Sequence, residues 1–444
     1  MENMIPLNGR IAIVDDQIEQ ALPLMRVFAK NNIPYVFYKG TDPEFLPEQP
    51  ENDIRILFLD LNLLDGRDNQ PKDIRSALFA TIRRIISPNN YPYVLILWSR
   101  QEKEYRNLLE ELFSKDLAQC APIAILNWIK SDFFPNFTDT EENQENEYKI
   151  LDELKRTLSE LPAYSYLMQW ENCIHKSADE TIQNIFHDPL SLSNWQNSAN
   201  CIFEMFAKSY LGKHHNEASL GERAKASLLF LNDVYHDTLE SNVAIGDYSN
   251  ATDLRYEADE EHLKSIAAKI NECLLLSEQF DSFRQPGCVL PVDLTQDNES
   301  HFHKLFNECF NKKELSSKDA KLLKEEAKQL KKEIYETLRP CAVVVTPACD
   351  YAQKKMKYDR LIQGLIIEEK FSDHINSLSD TFYLSPTFNL SGRRCFLVLN
   401  FRYFITYDMG NEDLSPIFRI RDSILAEIQS KLARHINRQG IMNL

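Results

Sequence analysis

Five polar residues in the first third of the chain each stand at the end of an apolar run. Asp15 and Asp16 follow Arg10–Val14, Asp60 follows Ile54–Leu59, Ser99 follows Tyr93–Trp98, and Lys130 lies just beyond Pro122–Trp128. Carboxylates are hard oxygen donors of the kind a divalent cation takes. A carboxylate is also a weak nucleophile, one that attacks phosphorus only when the group is held in line and its charge is offset. An ammonium such as that of Lys130 is a compact point charge for phosphoryl oxygens. The hydroxyl of Ser99 can donate a hydrogen bond to a group once that group is attached. Taken singly, each residue has a plainer reading: an Asp pair after a strand is commonly a helix cap, and a lone Ser or Lys there is a solvated terminus. It is their joint placement at four strand ends that points to a site.

The elements that position them follow from hydrophobic periodicity. Arg10–Val14, Ile33–Tyr38, Ile54–Leu59, Tyr93–Trp98 and Pro122–Trp128 read as five short strands. Between them, Ile18, Ala21, Leu22, Met25, Phe28 and Ala29 recur at helical spacing, as do Ile74, Leu78, Ile82 and Ile85, and 101–118 is a charged amphipathic helix. Near-continuous apolar strands separated by helices imply a doubly wound, five-stranded parallel sheet buried on both faces. In such a sheet, residues at the carboxyl ends of the strands gather around one crevice.

This constellation resembles the response-regulator receiver domain, and the 44-residue step from Asp16 to Asp60 matches that family's usual spacing. The resemblance covers about the first 130 to 160 residues. It implies that Asp60 accepts a phosphoryl group from a histidine kinase. It also implies that Mg²⁺ is held by Asp15, Asp16, Asp60 and the backbone carbonyl of Asn62, and that Ser99 and Lys130 contact the phosphoryl group. The sequence departs from the family pattern in three places. The Ser99–Lys130 interval is long, Ser131 stands where receivers usually carry proline, and Asn127 occupies the place of the usual switch aromatic. The neighbouring Trp128 points to the other face of its strand.

The rest of the chain carries weaker signals. An acidic polar stretch over 131–146 reads as an exposed loop, 147–275 as almost wholly helical, and 301–338 as a further helical stretch. Cys341–Thr346, Leu361–Ile367, Asp380–Leu384 and Cys395–Tyr407 read as strands, and 413–437 as a closing helix. The expected organisation is a receiver domain over 1–160, a helical domain over 161–280, and an α+β domain over 281–444 with an antiparallel sheet or barrel. That layout is similar to receiver proteins of bacterial anti-phage two-component systems, which implies a phosphorelay working in defence through a protein effector. A different reading makes the C-terminal region an effector enzyme using Cys349 and Asp350, in the segment Thr346–Gln353. No histidine lies near to form the thiolate, the closest along the chain being His374, and a small buried cysteine in a tight turn is the plainer account. Two zinc sets were weighed and set aside: Cys349 with Cys341 or Cys395, and His301, His303 and Cys309, where i and i+2 on a helix face apart. A third reading makes the receiver an interaction module without a working switch.

Composition narrows the classes. A formal net charge of −17 argues against general nucleic-acid binding, which needs clustered cations. The basic stretch Lys321–Lys332 alternates with Glu and reads as a solvated helix face. No apolar run approaches the roughly 20 residues of a membrane span, and Met1-Glu2-Asn3-Met4 begins no secretory signal. Nine singly scattered cysteines fit reduced thiols in a cytoplasm. With only 11 glycines, and no GxGxxG or GxxxxGK[ST], a glycine-rich phosphate loop is not expected.

Overall fold

The computed structural model describes residues 5–6, 10–40, 42–61, 63, 70–99, 104–134, 141–187, 194–246, 248, 259–277, 280, 282–292, 296–309, 322–347, 350–351, 358–375, 380–408 and 414–437. The chain divides into two compact units, 1–255 and 256–444.

The first unit opens with five parallel strands: β1 (Ile11–Asp15), β2 (Tyr35–Lys39), β3 (Ile56–Leu59), β4 (Val94–Ser99) and β5 (Ala124–Ile129). Their order is β2-β1-β3-β4-β5, with every pairing parallel. The connecting helices are α1 (Ile18–Lys30), α2 (Pro71–Ile85) and α3 (Glu104–Lys115), followed after β5 by the single turn α4 (Lys130–Phe133) and by α5 (Glu141–Ser159). Between β2 and β3 the described chain makes only a 3-10 turn, Pro43–Phe45. Alternation along the strands feeds two cores. Ile11, Ile13, Ile56, Phe58, Ile96 and Trp98 pack with α1 and α5 on one face. Ala12, Val14, Leu57, Leu59, Leu95 and Leu97 pack with α2 and α3 on the other. Strands β1, β3 and β4 are therefore buried on both sides, which is why they read as unbroken apolar runs.

Three further helices belong to this unit: α6 (Pro162–Phe186), α7 (Trp195–Leu211) and α8 (Leu220–Ala244). Helix α6 is fastened at the amino-terminal edge of the sheet. Its Glu171 takes Arg10 at 2.9 Å and Arg55 at 3.1 Å, Tyr164 donates to the Arg55 carbonyl at 2.6 Å, and Asn172 donates to the Ile5 carbonyl at 2.9 Å. Helix α8 starts at a capping box in which Ser219 and Glu222 satisfy each other's backbone donors. The helical stretch expected over 161–280 is thus shared between the units: α6–α8 fall in the first, and α9 (Glu260–Leu275) falls in the second.

The second unit is α+β. After α9 come β6 (Leu276–Ser277), β7 (Cys288–Pro291), α10 (Gln296–Cys309), α11 (Leu322–Thr337), β8 (Arg339–Val344) and β9 (Asp359–Glu368). The chain continues through β10 (Phe382–Leu384), β11 (Phe388–Leu390), β12 (Arg393–Tyr407), β13 (Phe418–Ile420) and α12 (Asp422–Ile436). The strands form one antiparallel sheet ordered β10-β12-β9-β8-β7-β13-β6, with β11 on β12. Strands β6, β7, β11 and β13 are only two to four residues long, too short for a local period to show, and pairing makes them strands; β13 replaces the start of the helix expected over 413–437, which begins only at Asp422. A bulge interrupts β12 between Leu399 and Phe404. There Asn400, Arg402 and Tyr403 turn to Glu308 of α10, at 3.0, 3.4 and 3.2 Å.

Just before that bulge Gly364 of β9 faces Leu399, and a Cβ at this position would run into the Val398 carbonyl oxygen and the Leu399 side chain. Gly364→Ala should therefore cost about 1–3 kcal/mol through overpacking. A lowered thermal or denaturant midpoint for the substituted chain checks this; an unchanged midpoint would show that the strands spread without penalty.

Candidate functional site

Four neighbouring strand ends stand side by side. Asp15 closes β1, Asp16 follows it, Asp60 follows β3, Ser99 closes β4, and Lys130 directly follows β5 as the first residue of α4. Sheet order reverses direction between β1 and β3, the position where a doubly wound sheet opens a crevice. Asp60 is fixed there by its own backbone, whose N–H donates to the Val14 carbonyl at 2.9 Å. Ser99 is buried and lies in register with Ile129, one residue ahead of Lys130.

The structure brings the acidic residues together with the lysine. One carboxylate oxygen from each of Asp15, Asp16 and Asp60 lies within 4.8 Å of the others. Among the described residues this is the only group of three or more His, Cys, Asp or Glu that could hold a metal ion. The Lys130 ammonium is 0% exposed and reaches Asp15 Oδ2 at 2.7 Å and Asp60 Oδ2 at 2.6 Å. Its third partner is Gln20 Oε1 of α1, at 3.3 Å. Gln20 in turn donates to Gln17, whose backbone N–H donates to Asp15 Oδ1 at 3.0 Å. Gly40, at the end of β2 with φ +44°, gives Asp16 its room: a Cβ there would lie 3.1 Å from the Asp16 Cα. Gln17, Gln20 and Gly40 were not read as site residues. The first two occupy the exposed-looking first turn of a helix, and a glycine after a strand signals only a turn.

Burial pushes the Asp15 carboxyl up to about 6, and the nearby Asp60 adds to the rise. Lys130 and the Gln17 N–H pull it back without cancelling the effect, because one ammonium is shared between two carboxylates. Three carboxylates against one ammonium leave a formal surplus of two negative charges in a mostly buried place. Hard oxygen donors so arranged fit a divalent cation; the donor set does not distinguish one such cation from another.

Other sequence candidates fare differently. Asn62 and Cys349 lie outside the described residues, as does the His301 side chain. Asp350 sits 3.6 Å from Arg360 on the surface of the second unit. Cys341 is fully buried and its thiol is pushed well up by desolvation; Cys309 is pushed up to about 12 for the same reason. His303 stacks on Tyr335 with ring centroids 4.6 Å apart. None of these groups gathers with the others into a further site among the described residues. No described helix is long and apolar enough to cross a membrane.

Comparison of the chain with protein-family models, curated proteins and solved structures returns no match.

A raised carboxyl pKa has a definite sign. The folded state holds the Asp15 proton more tightly than the unfolded state, whose value is near 3.8. The stability this contributes is present below that value and is lost as pH rises through about 6. In metal-free buffer, Asp15→Asn should therefore gain stability relative to the parent chain as pH is raised from 4.5 to 7. Denaturant titrations of both proteins across that range read the difference; a difference that stays constant with pH would contradict the assignment.

Proposed function

We propose that residues 1–160 of the first unit are a phospho-accepting receiver domain, and that the protein works in a cytoplasmic phosphorelay in which a histidine kinase supplies the phosphoryl group to Asp60. The single observation that carries this reading is the buried Lys130 ammonium held between Asp60 and Asp15, with Asp16 in the same cluster. A structural ion pair needs one carboxylate; two on one lysine with a third beside them, at the carboxyl edge of a parallel sheet, suit a divalent ion and an anionic substrate. Mg²⁺ is the cation proposed, with Asp15, Asp16 and Asp60 as its protein ligands and the Asn62 carbonyl as a fourth.

When bound, Mg²⁺ would supply Lewis-acid polarisation of the phosphoryl oxygens and offset the acidic surplus. The chain's own residues do the rest. An Asp60 carboxylate oxygen forms the new bond to phosphorus while the bond from phosphorus to the donor's leaving group breaks in line with it. Lys130 is already within reach of Asp60, so its ammonium meets the phosphoryl oxygens by giving up a carboxylate partner for one of them. Ser99, buried at the end of the adjoining strand, donates its hydroxyl to the attached group. That bond exists only in the phosphorylated state and biases the surrounding chain toward it.

With acetyl phosphate and Mg²⁺, intact-mass measurement should show one added phosphoryl group, lost in Asp60→Ala. Lys130→Ala should slow its uptake on the order of 100-fold, the scale of removing one charge-stabilising donor. Equal uptake by the Asp60→Ala chain would overturn the proposal.

A further inference from the structure

Asp60, Ser99 and Lys130 each have an aromatic neighbour in the chain that is packed into one shared core. Phe58 stands two residues before Asp60, Trp98 one before Ser99, and Trp128 two before Lys130. Beyond Lys130 come Phe133 and Phe134, with the Phe134 N–H closing the turn on the Lys130 carbonyl at 2.9 Å. These five rings touch in a continuous set. Phe58 meets Trp98 at 6.0 Å and Trp128 at 5.8 Å between centroids. Phe133 lies against both tryptophans, at 5.9 and 5.3 Å, and Phe134 meets Trp98 edge-on at 6.3 Å. Trp98 and Phe134 are completely buried. The set belongs to the core shared with Ile150, Leu151, Leu154 and Leu158 of α5 and with Tyr164 and Met168 of α6.

Among the described residues the opposite face of the sheet carries no such set of paired rings. Asn127 is paired with Leu97, which packs on the α2 and α3 side, and its Oδ1 is buried without a hydrogen-bond partner. Among the described residues, every ring pair of the five-stranded sheet lies on the α1 and α5 face.

We infer that Trp98, Phe133 and Phe134 are positioning residues that clamp Ser99 and Lys130 from behind, and that they pass the state of the site to α5 and α6, not to α3. The inference rests on the phosphoryl-accepting reading above. Lys130 heads a helix of a single turn and its ammonium is gripped by Asp15, Asp60 and Gln20, so a change of its partners at Asp60 bears on that turn. Phe133 and Phe134 are the far end of the same turn. Close-packed rings do not deform continuously, so they shift together with the side chains of α5 seated on them.

The test uses the full chain, acetyl phosphate with Mg²⁺, and two readouts. Intact mass reports phosphate uptake, and amide hydrogen exchange reports which helices respond. Phosphorylation should change exchange across Glu141–Ser159 and leave Glu104–Lys115 as it was. Phe133→Leu should take up phosphate several-fold more slowly with the Mg²⁺ Kd unchanged, and Phe133→Tyr should restore the rate. A phosphorylated chain whose exchange changes as much in α3 as in α5, or changes in neither, overturns the inference while leaving the phosphoryl-accepting reading intact. So does wild-type uptake by Phe133→Leu. If that variant fails to fold, the exchange comparison on the unsubstituted chain decides alone. Absence of phosphate on the unsubstituted chain overturns both readings together.

Discussion

An ammonium ion removed from water costs several kcal/mol unless charge and hydrogen bonds compensate it. Lys130 is wholly buried, and its three donors are met by Asp15, Asp60 and Gln20. The surrounding structure is arranged to make this possible. Four neighbouring parallel strands must end at the same level, and the turn after β5 must begin at the lysine itself. The α1 turn must bring Gln17 and Gln20 over the cluster, and β2 must be followed by a residue without a side chain, Gly40, so that Asp16 has space. Yet the compensation is incomplete. One positive charge among three carboxylates leaves the cluster acidic, and Asp15 is pushed up chiefly by burial, with Asp60 adding to the rise.

The two faces of the sheet divide the labour. Aliphatic residues of β1, β3 and β4 meet α2 and α3 in a core of ordinary packing. The face toward α1 and α5 carries Phe58, Trp98 and Trp128, which pack together with Phe133 and Phe134 beneath the strand ends where the polar cluster lies. Aromatic side chains bring large buried areas with few rotatable bonds, so they hold neighbouring backbone closely. At the other end of the strands, Glu171 fastens α6 by drawing on Arg10 and Arg55, two arginines that precede β1 and β3. The first unit is thus tied at both edges of its sheet by charged groups that pair inside the fold.

The second unit is built by a different device. Its longest strands, β9 and β12, approach so closely at Gly364 that only glycine fits, and the register then shifts over the bulge that Glu308 gathers. Its buried ionic pair, Arg284 with Asp359 at 2.7 Å, lies where β9 begins, and burial raises the Asp359 carboxyl against the pull of the arginine. Its cysteines at 288, 309, 341 and 395 are buried with thiols pushed up by desolvation. Such thiols are poor nucleophiles, in keeping with small hydrophobic residues in a core.

The sequence by itself determined the five-stranded parallel sheet and the helix-rich middle, because period-2 and period-3.6 patterns are local and strands buried on both faces announce themselves as apolar runs. It also pointed to the strand ends where polar residues would gather, since topology brings the ends of such a sheet together: Asp15, Asp16, Asp60 and Lys130 meet there, and Ser99 closes the adjoining β4. The short strands β6, β7, β11 and β13 were not legible, nor was the division of the helices between the two units, because these depend on partners distant in the chain. Only the tertiary structure decided that Lys130 chooses Asp15 and Asp60 together, that Gln20 supplies its third acceptor, and that Trp98, Trp128, Phe133 and Phe134 close into one aromatic cluster. Those are matters of angle and distance between elements brought together from positions tens of residues apart, and no local pattern encodes them.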